Sequence, residues 1–325
     1  MSNQRFVTLD DVTAAAERIR PYVKRTPLAG NATISKIAGT NIYFKQEIFQ
    51  KTGAFKVRGA FNKMLTLTAE ERKVGVVAVS GGNHAQAVAY AARTLGTHAK
   101  IFMPQTTPRN YQDATRAYGA EVVLAANVRE AFDQTERHAR EGWIEVHPFD
   151  DPLVMAGQGT IGLEILEDLP QMTDLIVSIG GGGLISGVAT AVKSIKPEVR
   201  VWGVETEGAD AMALALAAGH PVEIPVMKSI AKTLGAPSVS ETTLALARRY
   251  LESVTVVSDR EAIDALKLIL EKTKVLTEPA ASCTLSAAFR LTKNFGPDSH
   301  VGLLLCGGNI SLDDLCHYYT DLASS

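Results

Sequence analysis

The chain has 325 residues, of which 46% are hydrophobic and 21% are charged. This composition is typical of globular proteins and argues against disorder, and the length predicts about two domains. Lys and Arg together number 33 and Asp and Glu 35, which gives a formal net charge of −2. A balanced charge argues against binding to nucleic acids or to membrane surfaces, because both interactions favour a basic excess.

The cysteines and the first residues indicate the cellular setting. The three cysteines, Cys283, Cys306 and Cys316, are too few and too odd in number for a disulfide framework. The opening MSNQRFVTLDDV has no apolar stretch of the kind found in secretion signals. Both features favour a reducing, cytoplasmic location. Residues 175–192 carry no charge, but four glycines interrupt them, which favours a buried strand, a loop and a helix over a membrane span.

Short apolar runs alternate with segments of helical periodicity along the chain. Thr8, followed by Asp10 and Asp11, predicts the start of a helix that Pro21 ends. The predicted strands are residues 41–47, 74–80, 99–103, 121–124, 144–147, 174–179, 200–205, 254–257 and 301–306. Helical segments such as residues 85–95 and 261–272 lie between most of them. This alternation predicts an α/β fold with open parallel sheets that helices cover on both faces.

Three glycine-rich turns adjoin predicted strands: KTGAFKVRGA (51–60), SGGNH (80–84) and GGGGL (180–184). Ligands of open parallel sheets bind at the carboxyl ends of strands, where such turns lie. GGGGL precedes a helix, so its backbone N–H groups and the helix dipole predict a phosphate site; an unliganded tight turn is the alternative. The glycine spacing matches neither the dinucleotide fingerprint nor a P-loop, so a single phosphate group is expected.

The other two turns are ambiguous by themselves. Lys56 in KTGAFKVRGA reads most simply as an exposed helical lysine. Asn83 and His84 in SGGNH read equally well as a helix cap and a helix-start histidine or as ligands. Their coexistence with a phosphate loop makes a functional site the better interpretation.

The chain resembles the threonine dehydratase and serine racemase family, pyridoxal 5′-phosphate (PLP) enzymes of the tryptophan-synthase-β fold type. The resemblance runs from about Thr8 to about Leu315 and rests on five ordered blocks: KTGAFKVRGA, SGGNHAQAVAYAA, HPFDDPLVMAGQGTIGLEI, GGGGLISG and CGGNISL. It implies two open parallel α/β domains with the cofactor in the cleft between them. The large domain is expected to comprise residues 1–73 and 150–325, and the small domain residues 74–149. A homodimer is the family expectation.

The resemblance also implies a role for each matching residue. Lys56 corresponds to the catalytic lysine that links covalently to the cofactor, and Phe55 to the aromatic residue that packs on the cofactor ring. Asn83 corresponds to the partner of the ring hydroxyl, and Cys306 to the residue that faces the pyridine nitrogen. The phosphate loop is Gly180, Gly181, Gly182, Gly183 and Leu184. The residues expected to hold the amino-acid substrate are Ser80, Gly82, Asn83, His84 and Arg129.

Two positions favour dehydration over related reactions. A thiol at Cys306 is a weak hydrogen-bonding group, whereas a carboxylate there would favour transamination. Racemases of the family carry a serine where this chain has Gly81, and glycine cannot transfer a proton. We therefore predict β-elimination from a β-hydroxy amino acid, L-threonine or L-serine first, to a 2-oxo acid and ammonia. The alternatives are an amino-acid racemase, a β-hydroxyaspartate or β-aryl-serine dehydratase, a β-replacing synthase and a non-catalytic effector-binding protein.

Other positions depart from the family pattern. The resemblance implies a divalent cation, such as Mg²⁺, held by Glu205 and the carbonyl of Ala209, but the second acidic position is Ala211. Lys232 and Thr233 stand where relatives commonly have an acidic residue and a glycine, which leaves the preferred substrate open. The sequence ends about ten residues after the last family block. We therefore expect no appended amino-acid-sensing domain, and a catabolic role rather than feedback-regulated isoleucine biosynthesis.

Overall fold

The computed structural model describes residues 5–323. Its strands are β1 (Leu28–Gly30), β2 (Asn41–Gln46), β3 (Val76–Val79), β4 (Ala99–Pro104), β5 (Glu121–Ala125), β6 (Ile144–Glu145), β7 (Asp174–Ser178), β8 (Arg200–Thr206), β9 (Leu251–Val257) and β10 (His300–Leu305). Its helices are α1 (Leu9–Ile19), α2 (Ala32–Ala38), α3 (Val57–Leu65), α4 (Ala69–Val74), α5 (Asn83–Leu95), α6 (Arg109–Ala117), α7 (Val128–Arg140), α8 (Pro152–Asp168), α9 (Gly183–Ile195), α10 (Ala211–Ala218), α11 (Glu241–Tyr250), α12 (Asp259–Thr273), α13 (Pro279–Arg290) and α14 (Leu312–Ala323).

The strands form two open sheets. The six-stranded sheet has the order β1-β2-β10-β7-β8-β9, and the four-stranded sheet has the order β5-β4-β3-β6. Every neighbouring pair is parallel except β1 with β2. The predicted α/β class with open parallel sheets is confirmed, and each predicted strand is present. Only β1 was missed, because three residues are too few to show a period.

Local signals at the chain start act as expected. Thr8 Oγ1 accepts a hydrogen bond from the Asp11 N–H at 3.2 Å, and Asp11 Oδ2 accepts one from the Thr8 N–H at 3.0 Å. This reciprocal capping satisfies two N–H groups that the first helical turn would otherwise leave without partners. Helix α1 therefore begins right after Thr8.

The uncharged stretch at residues 175–192 folds as the sequence predicts. Strand β7 ends at Ser178 and α9 begins at Gly183, with the glycine loop between them. Within residues 5–323, no helix combines the length and apolar character that crossing a bilayer requires.

Glycines let α8 lie at the centre of the large sheet's helical layer. A Cβ atom at Gly157 would lie 2.5 Å from the carbonyl oxygen of Arg58 in α3. A Cβ atom at Gly187 of α9 would overlap the carbonyl oxygen of Met155 in α8. These helices approach so closely that only glycine fits at the crossings, which fixes α3 against α8 and, with it, the residues that precede α3.

A buried charge cluster anchors the start of α3. Arg58 Nη2 lies 2.8 Å from Glu47 Oε1, and Arg58 Nη1 lies 2.6 Å from Glu164 Oε1. Glu164 also receives Lys45 Nζ at 2.7 Å. Removing one member would leave a buried charge without its partner, which is strongly destabilising. The cluster therefore fixes the backbone immediately after Lys56.

Candidate active site

A cavity of about 260 Å³ lies where the carboxyl ends of strands from both sheets meet. Its wall comprises the loops that follow β3, β4 and β7, together with Cys306 after β10. Residues from all three glycine-rich turns line it, including Lys56, Asn83 and Gly180. This is the position at which open parallel sheets bind small ligands.

Lys56 immediately precedes α3, and its side chain lines the cavity. Its Nζ donates a hydrogen bond to the carbonyl oxygen of Pro148 at 2.7 Å and lies 5.1 Å from the centroid of the Phe55 ring. Burial lowers the pKa of Lys56 from 10.5 to about 8, because low-dielectric surroundings disfavour the ammonium form. A partly neutral amine at physiological pH can react with an aldehyde or accept a proton.

The GGGGL loop presents backbone to the cavity because side chains do not fit there. A Cβ atom at Gly181 would overlap the ring of Phe149, and one at Gly183 would lie 2.7 Å from the Phe149 Cα. Gly182 has φ +93°, the left-handed region that favours glycine. It precedes α9 without a side-chain cap, so the first N–H groups of that helix can receive an anion. The loop fits a phosphate group.

Asn83 belongs to a buried hydrogen-bond network around Glu278. Its Nδ2 donates to Glu278 Oε1 at 2.9 Å, and its Oδ1 accepts from Asn309 Nδ2 at 2.8 Å. Thr233 Oγ1 donates to the same Glu278 Oε1 at 2.7 Å. Burial raises the pKa of Glu278 to about 7, against the opposing effect of these donors. The network holds Asn83 in one orientation in the cavity wall.

The remainder of the SGGNH loop forms the start of α5. Ser80 Oγ accepts a hydrogen bond from the Gly82 N–H at 3.1 Å. One ring nitrogen of His84, Nε2, lies 2.7 Å from the carbonyl oxygen of Val146. Its other nitrogen, Nδ1, is buried without a partner in the described part of the chain. Burial lowers the pKa of His84 to about 3, so the ring is neutral at physiological pH.

Cys306 stands at the end of β10, inside the cavity wall. Its Sγ lies 3.7 Å from the carbonyl oxygen of Ala280. Burial raises the pKa of the Cys306 thiol well above its usual value, so it is a neutral group and a weak hydrogen-bonding partner.

These residues fit the cofactor that the sequence predicts. A reactive lysine, an aromatic neighbour, a phosphate loop and a neutral thiol line one cavity. Lys56 would hold the aldehyde carbon of PLP, and Gly180, Gly181, Gly182, Gly183 and Leu184 would hold its phosphate. Bound there, PLP would supply the electron sink that amino-acid eliminations need.

The structure does not bring Arg129 into the cavity. Its guanidinium is mostly exposed on α7 and pairs with Glu223 at 2.6 Å. The same helix turns two apolar residues, Val128 and Phe132, toward the cavity instead. Arg129 follows Val128 directly and therefore lies on a different side of the helix. The expectation that Arg129 reaches the substrate is not met in this structure.

The predicted cation ligands also serve another purpose. Glu205 accepts hydrogen bonds from the N–H groups of Met212 at 2.9 Å and Ala213 at 2.8 Å, so both carboxyl oxygens cap α10. Burial raises the pKa of Glu205 to about 8. Among residues 5–323, no group of three or more His, Cys, Asp or Glu side chains could hold a metal. Both carboxyl oxygens of Glu205 are therefore engaged by the backbone of α10 in this structure.

Several cavity residues were missed in the sequence reading. Thr107 and Phe149 line the cavity from loops, and Glu278 lies beneath it. Glu278 precedes Pro279 at the start of α13, which in sequence indicates only a helix start. Phe149 lies in one of the five family blocks but was given no role there, and Thr107 carries no local signal because its neighbours across the cavity are distant in the chain.

Comparisons with known proteins give the same picture. The family model described as pyridoxal-phosphate dependent enzyme matches residues 19–307. An L-threonine ammonia-lyase from Thermotoga maritima is 42% identical over 310 residues, covering 95% of this chain and 77% of that protein. A phenylserine dehydratase from Ralstonia pickettii is 42% identical over 313 residues, covering 95% of this chain and 96% of that protein.

Solved structures of the same kind share the fold. Maize serine racemase superposes with a TM-score of 0.91 at 36% identity, covering 98% of this chain and 99% of that one. The predicted family, and the predicted PLP-dependent, dehydratase-like lyase, are confirmed by these relatives. The chain belongs to the pyridoxal-phosphate dependent enzyme family.

Proposed function

We propose that this chain is a dehydratase that removes water and ammonia from a β-hydroxy amino acid, with L-threonine and L-serine as the first substrates to test. The observation that carries the proposal is that Lys56 and Gly81 line the same cavity. Lys56 is an amine of lowered pKa, and Gly81 has no side chain that could act as a second proton carrier. One proton-transfer group suffices for elimination, whereas racemisation needs two.

Different residues of the chain would bind the cofactor and transfer the proton. Lys56 would hold the aldehyde carbon of PLP, and its amine, in the neutral form, could accept the proton from the substrate Cα. The glycine loop and the amino end of α9 would hold the phosphate of PLP. The neutral thiol of Cys306 would offer the cofactor ring only a weak hydrogen-bonding partner, which suits a reaction whose leaving group accepts the electrons.

Three observations favour two further substrates of the same reaction. The cavity wall includes apolar side chains, Val128, Phe132 and Met227, against which a β-aryl group could pack. The phenylserine dehydratase matches this chain over nearly its whole length, which supports the β-aryl candidate. Lys232 also lines the cavity, and its ammonium could receive the second carboxylate of β-hydroxyaspartate.

The test is 2-oxo acid release by purified protein loaded with PLP. L-Threonine, L-serine, β-phenylserine and β-hydroxyaspartate are compared at equal concentration, with D-serine formation measured in parallel. Product from at least one substrate, with little D-serine, is expected. Efficient interconversion of L- and D-serine without 2-oxo acid would overturn the proposal in favour of a racemase.

The remaining sequence predictions stay proposals. We expect activity without a divalent cation, since both oxygens of Glu205 already cap α10. Light scattering of the purified protein tests the homodimer. The cytoplasmic location rests on the cysteine content and the opening residues, and expression studies can test it together with the catabolic role.

A further inference from the structure

Thr107 contributes to the cavity wall a hydroxyl that has no partner among the described residues. The residue lies in the loop after β4, lines the cavity and is only 7% exposed. Its N–H donates to the Pro104 carbonyl at 2.9 Å, and its carbonyl accepts from Gln112 Nε2 at 2.8 Å. Its Oγ1 makes no hydrogen bond to any residue between 5 and 323. The hydroxyl is not among the fully enclosed atoms without a partner, so it is accessible from the cavity and available to a ligand.

The hydroxyl adjoins the amino end of α5. A Cβ atom built on Gly81 would lie 2.6 Å from Thr107 Oγ1. Gly82 precedes α5 without a side-chain cap, and the helix is 13 residues long. Its first N–H groups therefore carry partial positive charge and lack side-chain acceptors. A carboxylate bound there would have the Thr107 hydroxyl beside it.

Resting on the proposed function, we propose that Thr107 is a substrate-binding residue. Its hydroxyl donates a hydrogen bond to the α-carboxylate of the amino acid. The hydroxyl lies where the side chain of a larger residue at position 81 would be. Thr107 and Gly81 thus form a pair, since the hydroxyl leaves no room for a Cβ atom at position 81. Two hydrogen bonds to its backbone hold Thr107, so its side chain cannot easily move away from position 81.

Binding of L-alanine to the PLP-loaded protein tests the hydrogen bond. L-Alanine has the carboxylate but no β-hydroxyl to eliminate, so calorimetry gives a dissociation constant without turnover. Thr107→Val should weaken binding about tenfold or more, because a hydrogen bond to a charged group is lost, whereas Thr107→Ser should bind within about threefold of wild type. Thr115→Val is the matched control: it removes a buried hydroxyl that bonds only to the Tyr111 carbonyl in α6.

Unchanged L-alanine affinity in Thr107→Val would overturn the proposal. If that variant also lost exchange of the Cα proton in deuterated water, Thr107 would be an acid–base group instead of a binding residue. Melting temperatures identify any variant that fails to fold, and if Thr107→Val is one, Thr107→Ala, which also lacks the hydroxyl, decides the outcome.

A double-mutant cycle tests the pair. Gly81→Ala should weaken L-alanine binding strongly in the wild-type background and only slightly in Thr107→Ala, because the Cβ atom then has space. Equal losses in both backgrounds would overturn the pairing. These binding results stand apart from the proposed function: if wild type binds L-alanine through Thr107 yet releases no 2-oxo acid, the function fails and the inference holds.

Discussion

The glycine loop after β7 and the glycine loop after β3 both join a buried parallel strand to an uncapped helix. They differ in what surrounds them. The loop after β7 is enclosed partly by backbone atoms, those of Phe149 and Leu234, so added side chains collide at several positions. The loop after β3 is bounded only by the side chains of Thr107 and Thr233. A constant phosphate can be held within a backbone enclosure, whereas the side chains around a substrate can change with that substrate.

The largest expected effect comes from the residue that lies between the two loops. Lys56→Ala should lower 2-oxo acid release by about 10³-fold or more, because both the covalent anchor and the base are lost. Borohydride reduction and peptide mass mapping should find the cofactor on Lys56 in wild type. Lys51→Ala is the control, since Lys51 belongs to the same sequence block but lies over the Tyr90 ring. A cofactor adduct on another lysine would contradict the assignment.

The two loops can be compared directly by adding one methyl group to each. Gly181→Ala should destabilise the protein by about 1–3 kcal/mol and weaken PLP binding, because the new Cβ atom overlaps the Phe149 ring. At Gly82 the nearest atom to a new Cβ is Thr233 Cγ2, at 3.3 Å. Gly82→Ala should therefore keep PLP affinity within about threefold of wild type. Equal PLP losses in both variants would remove the distinction between the loops.

A pH effect should follow from Glu278, which joins Asn83 to Thr233. Its folded pKa is raised to about 7 by burial, so its neutral form favours the folded state. That contribution is complete below about pH 4.5 and is lost as the pH rises through 7. Between pH 4.5 and 8, wild type should lose up to about 3 kcal/mol more unfolding free energy than Glu278→Gln. Urea unfolding at several pH values measures the difference, and parallel profiles would contradict the raised pKa.

The smallest expected effect concerns divalent cations. Chelation with EDTA followed by dialysis should leave both activity and melting temperature unchanged, because Glu205 already accepts two backbone hydrogen bonds. Restoring Mg²⁺ or Ca²⁺ should likewise have no effect. A reproducible loss on chelation, reversed by one of these ions, would show that the family's cation site operates here.

Where the sequence was sufficient, the signals were local. Thr8 and Asp11 predicted α1 because a cap and its partner lie three residues apart. GGGGL predicted a loop between a strand and a helix because glycines interrupt both periodicities, and β7 and α9 flank it as expected. Where the sequence fell short, the missing information was spatial. Arg129 was expected at the substrate, yet its direction depends on how α7 packs, and it bonds to Glu223 instead.

The sequence by itself determined the alternation of strands and helices and the glycine loop between β7 and α9, whereas only the family resemblance pointed to Lys56. The first two depend on periodicity and on glycine's backbone. The tertiary structure alone decided the partners: Asn83 with Glu278 across 195 positions of chain, and Gly81 with the hydroxyl of Thr107. Parallel strands bring distant loops to one edge of a sheet, and only their packing determines which side chains meet there.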